Sequence, residues 1–355
     1  MTKSTYNIIG VMSGTSLDGI DIIYASFDVG RTWGFKIYQA ETVSYSNSWK
    51  SLLSALVNYS RSQLQAIDLE YSQYLGTVIS SFIKRHNIDN IDFICSHGHT
   101  ALHQPDLGLT YQIGNKQILA DTLQQKVICD FRIQDVRLGG QGAPLVPIGD
   151  QLLFKDYNYC LNLGGFANIS YEVNKERIAF DVCPVNIVLN YYVGNLNLEY
   201  DDKGQLAATG KVNKNLLSEL NALAYFKEEA PKSLGLEWVD VNVFPLIDEY
   251  NLQVKDVLRT YIEHIAMQVS EVLVTLNAKL LITGGGVYNS FLMERIKHFS
   301  EVEVIIPNNE IVEFKEALIF GLLGVLKDRN EVNCLKSVTG AKKNHSSGKI
   351  LMPKK

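Results

Sequence analysis

A chain of 355 residues with 33 basic and 38 acidic side chains has a net charge of −5 and no basic block, which excludes a protein that coats nucleic acid or another polyanion. That length is too great for one typical core and suggests about two domains, and the longest apolar run near the end, Ala317 to Leu326, is about half of what spans a bilayer. The polar start, Met1 to Tyr6, runs straight into a strand with no room for a signal peptide, so a cytoplasmic location without a membrane partner is expected.

Residues 6–28 read as a hairpin. Two β-branched runs (Ile8, Ile9, Val11 and Ile20, Ile22, Ile23) flank a tip of small residues, Ser13 to Ser16. Gly14 and Gly19 admit backbone angles closed to other residues, and Thr15 and Ser16 add hydroxyls, so several donors can converge on one anion. Asp18 and Asp21 would repel a bare phosphate. They fit if a hard divalent cation sits between carboxylate and phosphate oxygens, which suggests a metal–nucleotide complex. An ordinary tight hairpin, its Asp and Gly serving turn chemistry, is the other reading.

Trp33 to Val43 supplies a third strand. From Leu64 to His86 apolar side chains recur at three-and-four spacing (Ile67, Tyr71, Leu75, Ile79, Phe82), which predicts an amphipathic helix. Ile91 to Cys95 is a strand ending in Ser96-His97-Gly98-His99-Thr100, and polar groups at the carboxyl end of a buried strand are where open α/β sheets hold ligands. His97, His99 and His103 form no metal pattern: the first two would face opposite sides of a continued strand, with no Cys or acidic cluster nearby in sequence. Five cysteines without a Cys-x-x-Cys spacing predict neither a disulfide framework nor a zinc site. Strands at Thr110–Gly114 and Lys126–Asp130 enclose a short helix, and the second opens into a loop where glycines and prolines end regular structure, Gly139 to Pro147. The domain boundary falls here, giving domains at 1–135 and 136–334, with a tail at 335–355 that packs on the first.

Tyr159 to Val173 then repeats the opening design, strand, glycine tip (Gly164-Gly165) and strand. Its spacing by about one domain length points to a duplicated fold whose similar halves face each other across a cleft. A strand at Ile178–Asn186, broken by Pro184, precedes helices at 187–193, 213–229 and 251–276. The strand Leu280–Thr283 ends in Gly284-Gly285-Gly286 ahead of a helix from Ser290, an arrangement that lets backbone approach an anionic ligand. A last long helix covers 313–327.

In order, Gly14-Thr15-Ser16-Leu17-Asp18-Gly19, Ser96-His97-Gly98, Asp130-Phe131-Arg132, the loop Gly139 to Pro147, Asn162 to Ile169, Gly284-Gly285-Gly286 and Ser337-Val338-Thr339-Gly340-Ala341 resemble the signature segments of anhydro-N-acetylmuramic acid kinase, within the acetate and sugar kinase, Hsp70 and actin superfamily. The resemblance implies an α/β fold of two duplicated ribonuclease-H-like (actin-like ATPase) domains facing a central cleft. It implies an enzyme of cell-wall (peptidoglycan) recycling that hydrolyses the 1,6-anhydro bond of 1,6-anhydro-N-acetylmuramic acid and moves the ATP γ-phosphoryl to O6. Gly14, Thr15, Ser16, Leu17, Asp18, Gly19, Ile20 and Asp21 would bind ATP together with Gly164, Gly165, Gly284, Gly285 and Gly286, and Asp18 would hold Mg²⁺ through water.

The family's catalytic aspartate falls at Asp181. Its segment reads Phe180-Asp181-Val182-Cys183-Pro184-Val185-Asn186, where the family usually has Phe-Asp-Thr-Gly-Pro-Gly-Asn, and His99 stands where Gln is usual. Asp181 would be the base for a water attacking the anomeric carbon; a helix-capping aspartate is the alternative. Arg132 would pair with the lactyl carboxylate, against a structural ion pair with Asp130, and Glu316 would lie beside the sugar, against a solvated helix-face glutamate. His97 and Thr100 complete the sugar contacts. The departures leave open a kinase of another amino sugar without ring hydrolysis, and a non-catalytic actin-like ATP-binding switch is the reading of a different class. Expected partners are the sugar and ATP, with no nucleic acid; a homodimer is left open.

Overall fold

A computed structural model describes residues 3–14 and 17–354. In chain order its strands are β1 (Thr5–Met12), β2 (Gly19–Val29), β3 (Trp33–Ser44), β4 (Phe93–Ser96), β5 (His99–Gln104), β6 (Leu109–Ile113), β7 (Val127–Cys129), β8 (Tyr159–Leu163), β9 (Phe166–Val173), β10 (Glu176–Pro184), β11 (Lys279–Thr283), β12 (Glu303–Ile305) and β13 (Lys349–Leu351). The chain divides into two compact units: unit 1 is Met1–Leu153 with Phe314–Lys355, and unit 2 is Phe154–Glu313.

The main sheet of unit 1 has the order β13-β7-β4-β1-β2-β3, and that of unit 2 has β10-β9-β8-β11-β12. In both, three successive strands form an antiparallel meander, and the first of them also pairs in parallel with a later strand, which in turn pairs in parallel with the next. Order and strand sense are thus repeated within one α/β chain, the duplicated ribonuclease-H-like plan.

The β-branched runs explain the meander of unit 1: Ile8, Ile9, Val11, Ile20, Ile22 and Ile23 are all buried. Against this sheet lies the helix Arg61–Arg85, opened by a Ser60–Gln63 capping box. Its buried residues Leu64, Ile67, Tyr71, Leu75, Ile79 and Phe82 keep the spacing read from sequence, and burying each contributes roughly 1.5–3 kcal/mol. Asn87, at φ 49°, turns the chain out of the helix. In unit 2 the helix Val254–Val272 buries Leu258, Tyr261, Ile262, Ile265 and Val269 in the same way. It stops before Leu276, which is 73 % exposed.

The unit boundaries, 153/154 and 313/314, differ from the 135/136 and 334/335 read from glycine and proline content. The Gly139–Pro147 loop belongs to unit 1 because its backbone is tied there: Gly142 N–H donates to Asp135 Oδ2 at 2.7 Å and Gln141 N–H to the Thr339 carbonyl at 2.8 Å. The chain after 314 also belongs to unit 1, where β13 pairs with β7. Three short strands escape periodicity altogether, β5, β12 and β13. No helix among the described residues is long and apolar enough to cross a membrane.

Candidate active site

In each unit two parallel strands end side by side, and the candidate residues leave from those ends. In unit 1 Val11 is in register with Ser96, so the hairpin tip and the His97 segment emerge at one sheet edge. Ser13 Oγ–H donates to the Gly98 carbonyl at 2.8 Å, fixing Ser13 to that segment. Ser96 is in turn in register with Cys129, which brings Arg132 to the same edge.

Arg132 donates through Nε to His97 Nε2 at 2.9 Å and through Nη1 to the Gly142 carbonyl at 2.7 Å. His97 Nδ1 lies 2.8 Å from the Gly98 carbonyl. With Nε2 accepting, the proton is assigned to Nδ1, and burial together with the Arg132 cation holds this imidazole well below its ordinary pKa. Both ring nitrogens are therefore committed inside the protein, and His97 aims the guanidinium. Burial pulls Arg132 down to about 10, with Glu316 opposing, so the side chain stays charged at neutral pH. The ion pair with Asp130 does not form. Asp130 is held at φ 60°, and Arg132 turns instead to His97 and Gly142.

Glu316 lies in the helix Asn309–Asp328, half-buried and without a hydrogen bond among the described residues, unlike a solvated helix-face glutamate. Burial raises its pKa, Arg132 opposes, and Asp21 raises it further. Asp21 accepts a hydrogen bond from Thr42 Oγ1 at 2.6 Å. Asp18 is exposed and follows Leu17, whose φ is 62°. Ile20 is fully buried, backbone included, in the sheet opposite Val43, and offers a ligand no accessible surface. Gly19 has a packing reason of its own, since a Cβ there would come within 2.7 Å of the Val43 carbonyl on β3. Thr100 is half-buried on β5, opposite Gln112. Thr15 and Ser16 lie outside the described residues.

In unit 2 Asn162 is in register with Thr283, so Gly164-Gly165 and Gly284-Gly285-Gly286 follow neighbouring strand ends. Gly284 (φ 86°) and Gly286 are required by that neighbour relation: a Cβ at either would lie 2.6 Å from Asn162 Oδ1 or Leu163 Cβ. Gly164, Gly165 and Gly285 are different. A Cβ at the first two would meet only ordinary contacts, and at Gly285 nothing within 4 Å. Their missing side chains serve nothing inside the protein and leave backbone open from outside. The Gly164 N–H is not free, since it donates to the Phe166 carbonyl at 3.1 Å. The Thr283 hydroxyl, at the end of β11, is buried without a hydrogen-bond partner among the described residues.

Asp181 is also in unit 2, at a bulge near the end of β10. Oδ1 accepts from the Asn168 amide across the ladder, and Oδ2 accepts from the Leu234 N–H at 2.8 Å. Tyr225 O–H donates to the Asp181 carbonyl at 2.5 Å. Burial lifts the carboxyl above its ordinary pKa, while Leu234 and Asn168 oppose. The capping alternative fails because the helix Asn186–Gly194 has Val185 at its N-cap and no side-chain cap. An open depression of about 580 Å³, lined by Ser233, Leu234, Gly235 and Trp238, adjoins the loop that holds Asp181.

The departures from the family pattern turn inward. Val182, Cys183 and Val185 are at most 3 % exposed and belong to the unit 2 core, and His99 is buried with its ring edge-on to Tyr71. Sequence reasoning missed Asn168, Tyr225 and the Lys232–Leu234 segment as supports of Asp181. Only Asn168 left a signal, a polar side chain inside a quoted strand motif.

The sequence profile of the family described as "Anhydro-N-acetylmuramic acid kinase" matches residues 6–353. Curated relatives bearing that name include the protein of Pasteurella multocida (strain Pm70), 33 % identical over 99 % of this chain and 98 % of its own. The protein of Clostridioides difficile (strain 630) is 33 % identical over 96 % and 97 %, and that of Pseudomonas syringae pv. tomato is 34 % identical over 85 % of each. With site segments and sheet plan repeated as described, the chain belongs to the anhydro-N-acetylmuramic acid kinase family and is a sugar kinase.

Proposed function

We propose that the protein converts 1,6-anhydro-N-acetylmuramic acid, water and ATP to N-acetylmuramic acid 6-phosphate and ADP, a step that returns cell-wall sugar to metabolism in the cytoplasm. The observation that carries this reading is Asp181, a desolvated carboxyl held by two donors at a strand bulge. It takes a proton from water as the water oxygen bonds to the anomeric carbon. The bond from that carbon to O6 breaks, its electron pair passes to O6, and O6 displaces ADP from the γ-phosphorus.

Arg132, aimed by His97, pairs with the lactyl carboxylate, and its fork geometry suits a bidentate partner. Glu316 and Thr100 contact the sugar. ATP takes the 14–21 tip, and Gly164, Gly165 and Gly284 to Gly286 give it backbone to lie on. The exposed Asp18 carboxylate is a hard oxygen donor that fits Mg²⁺ held through water, and the ion, when bound, would neutralise phosphate charge. The inward burial of Val182, Cys183, Val185 and His99 favours this substrate over an amino sugar that is not hydrolysed, because the altered side chains line the core. Incubation with the anhydro sugar, ATP and Mg²⁺ in ¹⁸O-water tests the reading: the 6-phosphate product should carry one ¹⁸O at its anomeric carbon. A phosphorylated product without ¹⁸O, or sugar-independent ADP release alone, overturns it.

A further inference from the structure

Below the 139–147 loop, three potential metal ligands from distant parts of unit 1 converge. Asp135, Cys334 and His345 are at most 6 % exposed, and their ligand atoms all lie within 4.8 Å of one another. Cys334 Sγ is 3.0 Å and His345 Nε2 3.3 Å from Asp135 Oδ1. For zinc bonds of about 2.0–2.3 Å, tetrahedral geometry puts neighbouring ligands roughly 3.3–3.5 Å apart, a separation the two distances to Asp135 Oδ1 approach. Among the described residues His345 Nδ1 has no hydrogen-bond partner, and Nε2 meets only Asp135 Oδ1, without hydrogen-bond geometry. The backbone fixes the arrangement in advance: Cys334 and His345 form an antiparallel bridge, with N–H to carbonyl distances of 3.1 and 3.2 Å.

We propose that Asp135, Cys334 and His345 form a structural Zn²⁺ site whose fourth position a water would fill, with Thr339 O–H donating to Asp135 Oδ1 at 2.7 Å and orienting that carboxylate. The charge balance suits a buried site. One carboxylate and one thiolate neutralise a divalent ion, so the ion with its ligands would carry no net charge into the buried cluster. Binding forms Zn–O, Zn–S and Zn–N bonds and releases the Cys334 thiol proton to solvent; His345 is neutral and supplies a lone pair. The thiolate and imidazole select zinc over Mg²⁺. The ion would lock the segment 334–345 to Asp135, whose other oxygen holds the Gly142 N–H.

The test uses the full chain, stripped with a chelator, dialysed and titrated with Zn²⁺ or Co²⁺. We expect one Zn²⁺ per chain by elemental analysis and, with Co²⁺, a thiolate-to-metal charge-transfer band with tetrahedral d–d bands. Cys334→Ser should abolish the charge-transfer band, and His345→Gln should weaken Zn²⁺ affinity at least ~100-fold while leaving a folded protein by circular dichroism. A wild-type protein that shows no thiolate band, or binds Zn²⁺ as tightly after either substitution, overturns the site and leaves a hydrogen-bonded cluster.

Discussion

Asp181→Asn removes the proposed base and keeps the shape of the side chain. Proton transfer by a positioned group is worth typically 10²–10⁴-fold, which at ~1.36 kcal/mol per decade is roughly 2.7–5.5 kcal/mol of barrier. A structural cost accompanies it. Both Asp181 oxygens face donors, so an amide NH₂ at 181 must point at either Asn168 or the Leu234 N–H. One unsatisfied pairing of this kind costs roughly 1–3 kcal/mol, which lowers Tm by roughly 2–12 °C for a unit of this size. Melting curves and turnover measured well below either Tm separate the two effects. A folded mutant with kcat within tenfold of wild type would refute the assignment. The pH profile adds a second check. Asp181 acts only when deprotonated, so the rate rises with pH through its lifted pKa. Asn168→Leu removes a donor that favours the charged form, so this acid limb should move to higher pH.

Glu316→Gln should raise KM for the sugar. It also carries a stability signature: the folded state keeps this proton to higher pH than the unfolded chain, so the group's stabilisation is full below the unfolded pKa and fades as pH rises through the folded one. The variant should therefore melt higher than wild type at about pH 8 and alike at about pH 3; equal Tm at both would show that the carboxyl is not desolvated. Gly284→Ala should cost roughly 1–3 kcal/mol in urea unfolding, given its φ of 86° and the 2.6 Å approach. Gly285→Ala should leave the urea midpoint unchanged or raised and weaken ATP binding, read by titration calorimetry; unchanged ATP affinity would separate Gly285 from the nucleotide. Arg132→Lys cannot reproduce the fork to His97 and Gly142, and should raise the sugar's KM about tenfold or more with a smaller change in kcat.

The meanders were legible because one buried face per strand writes itself as β-branched residues, as in Ile8 to Val11 and Ile20 to Ile23. The long helices were legible for the same reason at a different period. Strands of three residues, such as β12 and β13, are too short to show alternation, and the chain's return to unit 1 is tied by hydrogen bonds that no local pattern announces, from Thr339 O–H to Asp135 and from Gln141 N–H to the Thr339 carbonyl. Within the site, motif positions named the polar residues, but their internal partners were invisible. His97 and Arg132 lie 35 residues apart and Asp181 and Leu234 53 apart, so their pairing exists only in the folded chain. Spacing also hid Cys334, which reaches Asp135 across 199 residues.

Unit 1 is discontinuous in sequence, and this sets an order on synthesis. All of unit 2 is synthesised before residues 314–351, so most of the inserted unit emerges and has the chance to fold first, while the edge of β7 stays uncovered until β13 arrives. During that interval the nascent chain exposes an open sheet edge. A pause or cleavage late in translation would thus yield one finished half and one that is sticky, a quality-control burden located at the carboxyl terminus rather than at either glycine turn.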